Sequence, residues 1–147
     1  MLGAIIGDIV GSRFEFHNTT KYDFGPLFTP ECMFTDDTIC TVAIADAILN
    51  ESEDYASYLQ AWCGKYPNPM GGYGASFSRW IHDNEAKPYN SFGNGSAMRV
   101  SPVGWANTKS SATISMAIAT AQVSHNHPEG IKGALVTALA IGSVGSG

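Results

Sequence analysis

The chain is short of charge, and above all of clustered positive charge. Charged residues make up 14% of its 147 residues, compared with roughly 25% in a typical soluble domain. Thirteen Asp and Glu residues outnumber eight Lys and Arg residues, which gives a formal net charge of −5. Because phosphate backbones and anionic bilayers are bound through clustered cations, the composition supports no nucleic-acid partner and no attachment to a membrane surface.

Long apolar runs are also missing, and cysteine is scarce. No run approaches the roughly 20 residues that a membrane-spanning helix needs. The N-terminus has no basic region, and Asp8 interrupts its apolar stretch, so it does not resemble a signal peptide. Cys32, Cys40 and Cys63 are irregularly spaced and form no CxxC pair, which indicates reduced, inert thiols. We therefore expect a cytoplasmic protein.

What the sequence does contain is apolar residues at helical spacing. Apolar residues make up 44% of the chain, enough for one domain with a buried core, and no useful stretch alternates with strand period. Residues 18–33 predict a loop long enough to be a functional flap. The pattern predicts an all-α fold, with helices over 3–12, 35–49, 52–64, 73–83, 111–123 and 128–141.

The most informative stretch is Phe34–Thr38, which places two adjacent carboxylates where a helical apolar run begins. Asp36 and Asp37 could cap the free N–H groups of the helix and complement its dipole. They could equally hold a hard cation, since Mg²⁺ prefers carboxylate, hydroxyl and water oxygens. The motif by itself leaves both interpretations open.

Two further carboxylates lie in the first apolar segment and just after it. Asp8 interrupts a helix in which glycine recurs every fourth residue, and a carboxylate there must be paired, cap another element or be functional. Glu15 lies between Phe14 and Phe16. A poorly solvated pocket would raise its pKa and suit it to proton transfer. Alternatively the two aromatic rings face inward and Glu15 faces water.

Two loops in the second half of the chain carry polar groups. Gly93-Asn94-Gly95-Ser96 leads into a helical run, so its backbone N–H groups could bind a phosphate or diphosphate, although a plain tight turn is the commoner meaning of such a loop. His125 and His127 lie in a loop before Pro128, and could bind a metal, hydrogen-bond a ligand or cap a helix.

The predicted helix 128–141 is apolar on every side. Such a helix is expected to be buried. A Gly/Ser-rich tail, 142–147, follows it directly. We therefore expect its covering surface to be a missing C-terminal half or another copy of the chain, as in a homo-oligomer.

In four ordered motifs the chain resembles the ADP-ribosylglycohydrolase family. Each motif is a weak signal alone, whereas four in the family's order are specific. They are Gly3–Glu15, Phe34–Thr38, Gly93–Arg99 and Ser124–Pro128.

The resemblance implies a compact helical bundle that uses Mg²⁺, or Mn²⁺ in some members, to cleave the bond between ADP-ribose and an acceptor. The substrate would be an ADP-ribosylated protein or small molecule. The implied roles are metal binding for Thr35, Asp36 and Asp37; catalysis for Glu15 and Asp36; diphosphate binding for Gly93, Asn94, Gly95 and Ser96; and a place in the ADP-ribose pocket for His125.

One family feature is absent from the sequence. The C-terminal Asp-x-Asp-Thr/Ser motif that completes the family's metal site does not occur. We therefore interpret residues 1–141 as the N-terminal portion of such a domain and expect impaired hydrolysis by a truncated bundle. The alternative is a non-catalytic remnant, or a self-associating half-domain, that binds ADP-ribose-like ligands weakly or not at all.

Overall fold

The computed structural model describes residues 1–106 and 109–145, and within these ranges the fold is all-α, as predicted, with no strand. A 3₁₀ turn, Ser12–Phe14, follows the first helix. The helices are α1 (Leu2–Gly11), α2 (Asp36–Leu49), α3 (Tyr55–Lys65), α4 (Ala75–Ile81), α5 (Gly95–Met98), α6 (Ser101–Ala106), α7 (Ser110–Gln122) and α8 (Pro128–Gly145).

Helix α2 lies at the centre of the core. Ile44 in its middle is completely buried, which contributes roughly 1.5–3 kcal/mol relative to an exposed side chain. The helix packs against α3 and α6, and the Thr41 hydroxyl donates to the Met98 carbonyl at the end of α5. These contacts hold α2 in one position, so its N-terminus has a defined place beside α5. The buried residues of the other helices include Tyr55, Leu59, Cys63, Phe77, Trp80, Ile81 and Val103.

Small residues allow the last three helices to approach each other closely. At Gly104 on α6, a Cβ atom would lie 2.7 Å from the Ala138 carbonyl oxygen and 2.8 Å from Ile141 Cβ, so only glycine fits without displacement. Helices α7 and α8 meet through buried alanines, Ala117, Ala121, Ala134 and Ala138. This packing fixes the connection between α7 and α8, which carries the two histidines.

Most helix ends differ from the predicted ones by about one to four residues, and three of the differences change an assignment. Helix α8 continues to Gly145, so the segment read as a Gly/Ser tail begins as helix, and residues 146–147 lie outside the described part of the chain. Gly64 lies inside α3, whose cap is Tyr66 rather than Gly64. The helical run after the glycine loop is divided into α5 and α6, with Pro102 in the first turn of α6, where a missing N–H costs nothing.

The terminal helices keep an exposed apolar surface. Helix α1 buries no residue, and its glycine face meets open space rather than a packed neighbour. Helix α8 buries one side only, because Val136 is 59% exposed and Val144 79% exposed. The predicted covering of the remaining surface, by a missing C-terminal half or by another copy of the chain, stays a prediction. No helix in residues 1–106 or 109–145 is long and apolar enough to cross a bilayer.

Candidate functional site

The start of α2 is capped by Thr35 and Asp8. Thr35 is the N-cap residue, and its hydroxyl accepts from the Asp37 N–H at 3.2 Å. The Asp8 carboxylate on α1 accepts from the N–H groups of Thr35 (2.9 Å) and Thr38 (3.2 Å), and from their hydroxyls at 2.6 and 2.5 Å. Asp8 is thus a cap for another element, one of the three possibilities that its position left open. Thr35 and Asp8 therefore satisfy the N–H groups of Thr35, Asp37 and Thr38, and the carboxylates of Asp36 and Asp37 remain to complement the helix dipole or to hold a cation.

Asp36 and Asp37 form a half-buried pair of carboxylates on the first turn of α2. Burial raises the pKa of Asp36, and the charges of Asp8 and Glu15 raise it further. The pKa of Asp37 rises to about 6, first through burial and then through repulsion from Asp36, Asp8 and Glu15. Because these carboxylates repel one another when ionised, a bound cation would stabilise their charged forms.

Glu15 follows the 3₁₀ turn and lies near this pair, since its charge acts on both carboxylates. Its side chain is exposed, so the poorly solvated pocket considered from the sequence does not form around it. Only Phe14 packs, edge-on against Phe24, whereas Phe16 is 69% exposed. Glu15 therefore faces solvent beside the acidic pair.

A cavity of about 490 Å³ joins the start of α2 to the glycine loop and to the histidine connection. Asp36 forms part of its wall, and the segments 74–77 and 89–95 form most of the rest. A cavity of this size, with polar groups converging on it, is the typical form of a small-molecule site. The predicted site residues that line it are Asp36, Gly93, Asn94, Gly95 and His125.

The loop Gly93–Ser96 divides between the cavity and the core. Gly93, Asn94 and Gly95 line the cavity, and Gly95 lies so close to His125 that a Cβ would be 2.8 Å from Nε2. The Ser96 side chain is buried, and its hydroxyl donates to the Gly130 carbonyl at 2.7 Å. Ser96 thus ties α5 to the first turn of α8, and its hydroxyl is not presented to the cavity.

His125 is buried and is held by a chain of polar groups. Its Nδ1 lies 2.8 Å from the Ser124 hydroxyl, which also accepts from Arg99 Nη2 at 2.9 Å. Burial, with a smaller contribution from the Arg99 charge, lowers the pKa of His125 to about 4. The imidazole is therefore neutral near pH 7. His127 has a different role, because its Nδ1 accepts from the Glu129 N–H at the start of α8.

Arg99 is the site residue for which sequence reasoning assigned no function. It lines the cavity, its side chain is 1% exposed, and burial lowers its pKa. It follows the glycine loop in one of the quoted motifs, but no local pattern indicates that an arginine there turns into the core. Its position depends on α7, since Nη2 also donates to the Thr120 carbonyl.

The residues fit only part of a metal site. Asp36 and Asp37 offer adjacent oxygen donors of the kind that Mg²⁺ prefers, whereas the Thr35 hydroxyl already donates to Asp8 and accepts from Asp37. Within the described ranges no group of three or more His, Cys, Asp and Glu side chains is arranged to hold a metal ion. Two carboxylates rarely bind Mg²⁺ tightly alone, because the ion keeps most of its waters.

Comparison with known proteins places this geometry in context. The model of a family described as ADP-ribosylglycohydrolase matches residues 1–146. The chain is 27% identical over 172 residues to ADP-ribosylhydrolase ARH3 of Mus musculus, an alignment that covers 96% of this chain and 46% of that protein. The Homo sapiens protein of the same name gives 27% over 172 residues, covering 96% and 47%. The Xenopus tropicalis protein gives 26% over 170 residues, covering 96% and 48%. The chain spans about half the length of these curated relatives.

Proposed function

The chain belongs to the ADP-ribosylglycohydrolase family, and on that premise we propose that it binds ADP-ribose and acts on the N- or O-glycosidic bond that joins it to an acceptor. The acceptor would be a protein or a small molecule. The observation that carries this proposal is the single cavity shared by Asp36, the glycine loop and His125. It brings residues from three separate motifs, far apart in sequence, around one volume.

The cavity wall contains two kinds of group, which suit the diphosphate and the ribose of ADP-ribose. The backbone N–H groups of Asn94 and Gly95 and the neutral imidazole of His125 are uncharged groups suited to hydrogen-bonding a diphosphate, whereas the Gly93 N–H already donates to the Ser91 hydroxyl. The buried Arg99 adds positive potential on the same side. Asp36 is the carboxylate in the same cavity wall, and it would contact ribose hydroxyls. We expect this difference in chemistry to orient the ligand with its anomeric carbon towards α2.

Cleavage at an anomeric carbon passes through an oxocarbenium-like state and needs acid or base assistance and a placed water. Two other carboxylates act on the α2 pair, and Asp8 is occupied by its four hydrogen bonds to Thr35 and Thr38. Glu15 is exposed, so it can approach a bound ribose from solvent. We assign to it the proton transfer and to Asp36 the positioning of the water.

A divalent cation fits the chemistry of the α2 carboxylates in part. Asp36 and Asp37 would hold Mg²⁺ or Mn²⁺, and Thr35 would contribute only the lone pair that its two hydrogen bonds leave unused. A bound ion would orient ribose hydroxyls and activate water. Because the donor set of the described residues is incomplete, we expect weak metal binding and slow hydrolysis.

The incomplete donor set also favours a second candidate function, ligand binding without turnover. In that case the cavity binds ADP-ribose through the glycine loop and His125, and the acidic pair contributes little. The two candidates share the cavity and differ in whether Asp36 matters for catalysis.

A calorimetric titration with ADP-ribose, with and without MgCl₂, tests the shared proposal. We expect measurable binding that Gly95→Ala weakens; a wild-type chain without any ADP-ribose binding would refute both candidates. Release of ADP-ribose from an ADP-ribosylated arginine peptide, followed by chromatography, separates the two. Loss of release in Asp36→Asn but not in Glu53→Gln, an equal charge change at an exposed site on the approach to α3, supports hydrolysis. Binding with no release supports the second candidate.

A further inference from the structure

Arg99 is a buried cation without a counter-ion among the described residues. Its side chain is 1% exposed, no carboxylate there forms an ion pair with it, and its Nε has no hydrogen-bond partner. A buried charge left in this state is costly unless it serves a neighbouring group or a ligand. Arg99 and the glycine loop line the same cavity, so a neighbouring side chain and a bound ligand are both within reach of the guanidinium.

The hydrogen bonds of Arg99 lead to His125 through one hydroxyl. Arg99 Nη2 donates to Ser124 Oγ at 2.9 Å, and as a guanidinium nitrogen it can only donate. Ser124 Oγ therefore accepts at that contact and keeps its single proton for another partner. The other hydrogen bond that the described residues offer this hydroxyl is with His125 Nδ1, at 2.8 Å. Oγ has a second lone pair and could instead accept from an Nδ1–H, but its own buried proton would then have no partner among the described residues. We therefore assign the hydroxyl proton to the bond with Nδ1, which leaves Nδ1 as the unprotonated nitrogen.

The remaining nitrogen of His125 points at the loop. A Cβ atom on Gly95 would lie 2.8 Å from Nε2, and one on Gly93 would lie 3.9 Å from it. His125 also lines the cavity. With Nδ1 unprotonated, Nε2 carries the hydrogen of a neutral ring and is a donor beside the loop.

We propose that Arg99 and Ser124 are positioning residues, which hold His125 as a neutral imidazole with its proton on Nε2, so that the cavity presents a directed hydrogen-bond donor to a ligand's anionic oxygen. That the ligand is ADP-ribose rests on the proposed function, whereas the tautomer does not. Burial opposes protonation of the ring, and the positive charge of Arg99 opposes it further. The other titratable groups at this cavity are Asp36 on α2 and Tyr89, whose ring centroid lies 6.0 Å from that of His125.

Nitrogen-15 NMR of histidine-labelled protein measures the tautomer directly. We expect His125 in the wild type to show a pyridine-like shift at Nδ1 and a pyrrole-like shift at Nε2 at pH 7, with its signal identified by its loss in His125→Gln. In Ser124→Ala the two shifts should move towards averaged values, because nothing then selects one nitrogen. Ser143→Ala, a matched change at an exposed serine on α8, should leave them unchanged.

The same variants test whether the tautomer of His125 affects ligand binding. Ser124→Ala should weaken ADP-ribose binding roughly two- to threefold, because only the fraction of rings with Nε2–H remains competent. A wild-type proton on Nδ1, or a Ser124→Ala spectrum identical to that of the wild type, would overturn the proposal. If Ser124→Ala fails to fold, the wild-type spectrum alone decides. Absence of ADP-ribose binding with the tautomer as expected would refute the proposed function and leave this inference standing.

Discussion

Replacement of Asp8 by alanine tests how the start of α2 is held in place. Asp8 is on α1, yet its carboxylate accepts four hydrogen bonds from Thr35 and Thr38. Removing it deletes the contact between α1 and the acidic motif and leaves the buried Thr35 without its acceptor. We expect the substitution to destabilise the protein and to loosen the first turn of α2.

The size of the effect follows from the contacts. The loss of an N-terminal cap costs about 1 kcal/mol, and a negative charge at a helix N-terminus contributes about 0.5 kcal/mol. Two hydroxyl bonds to an ionised acceptor add about 1 kcal/mol each, since water can replace them in part at a half-exposed site. We therefore expect Asp8→Ala to lower the free energy of unfolding by about 3.5 kcal/mol, and Asp8→Asn, which keeps one acceptor oxygen, by about half of that.

Urea unfolding followed by circular dichroism gives this quantity from the midpoint and the slope. Asp54→Ala is a matched control, because Asp54 caps α3 from an exposed position by one hydrogen bond, from Ser57 N–H at 3.2 Å. We expect about 1 kcal/mol or less for that variant. If Asp8→Ala costs no more than Asp54→Ala, the cross-helix cap is not a significant support of α2 and the reasoning is refuted.

Two further predictions concern the cavity and the acidic pair. Gly95→Ala should weaken ADP-ribose binding by tenfold or more, because its Cβ would lie 2.8 Å from His125 Nε2. Gly93→Ala should be tolerated, because a Cβ there meets atoms only at 3.5 and 3.9 Å. Calorimetry that finds equal losses of affinity in the two variants would contradict this. Asp37 keeps its proton to about pH 6 in the folded protein, against 3.8 when unfolded, so stability should fall as the pH rises between these values. Asp37→Asn should reduce that slope, with Asp36 supplying the remainder, and should raise the melting temperature at pH 7. MgCl₂ should stabilise the wild type more than the variant. A wild-type melting temperature that is flat across this window would count against the raised pKa.

Local sequence signals predicted the elements well where several of them agreed. Helix α2 combines an N-cap threonine, acidic residues in its first turn and an apolar run, and the structure begins it at Asp36 as these signals indicate. The all-α class follows from the same helical spacing. Prediction was less exact where one signal stood alone: the helix 52–64 was expected to end at Gly64, but α3 continues to Lys65 and has Tyr66 as its C-cap.

The site could be predicted as a set of motifs but not as an arrangement. The carboxylate pair, the glycine loop and His125 were each recognisable, and the shared cavity brings parts of all three together. Ser96 was indistinguishable from its neighbours in the loop, yet its hydroxyl is buried against α8. The desolvated setting considered for Glu15 depended on Phe16, whose ring is exposed.

The sequence by itself determined the helical class, the low charge, the family motifs and the residue types that could bind a diphosphate or a cation. These are properties of composition and short-range spacing, which every conformation of the chain shares. Only the tertiary structure decided that Asp8 rather than Asp36 or Asp37 caps α2, and that Arg99 reaches His125 through Ser124. Such assignments depend on distances between helices, and those distances arise from packing over the whole core rather than from any local stretch.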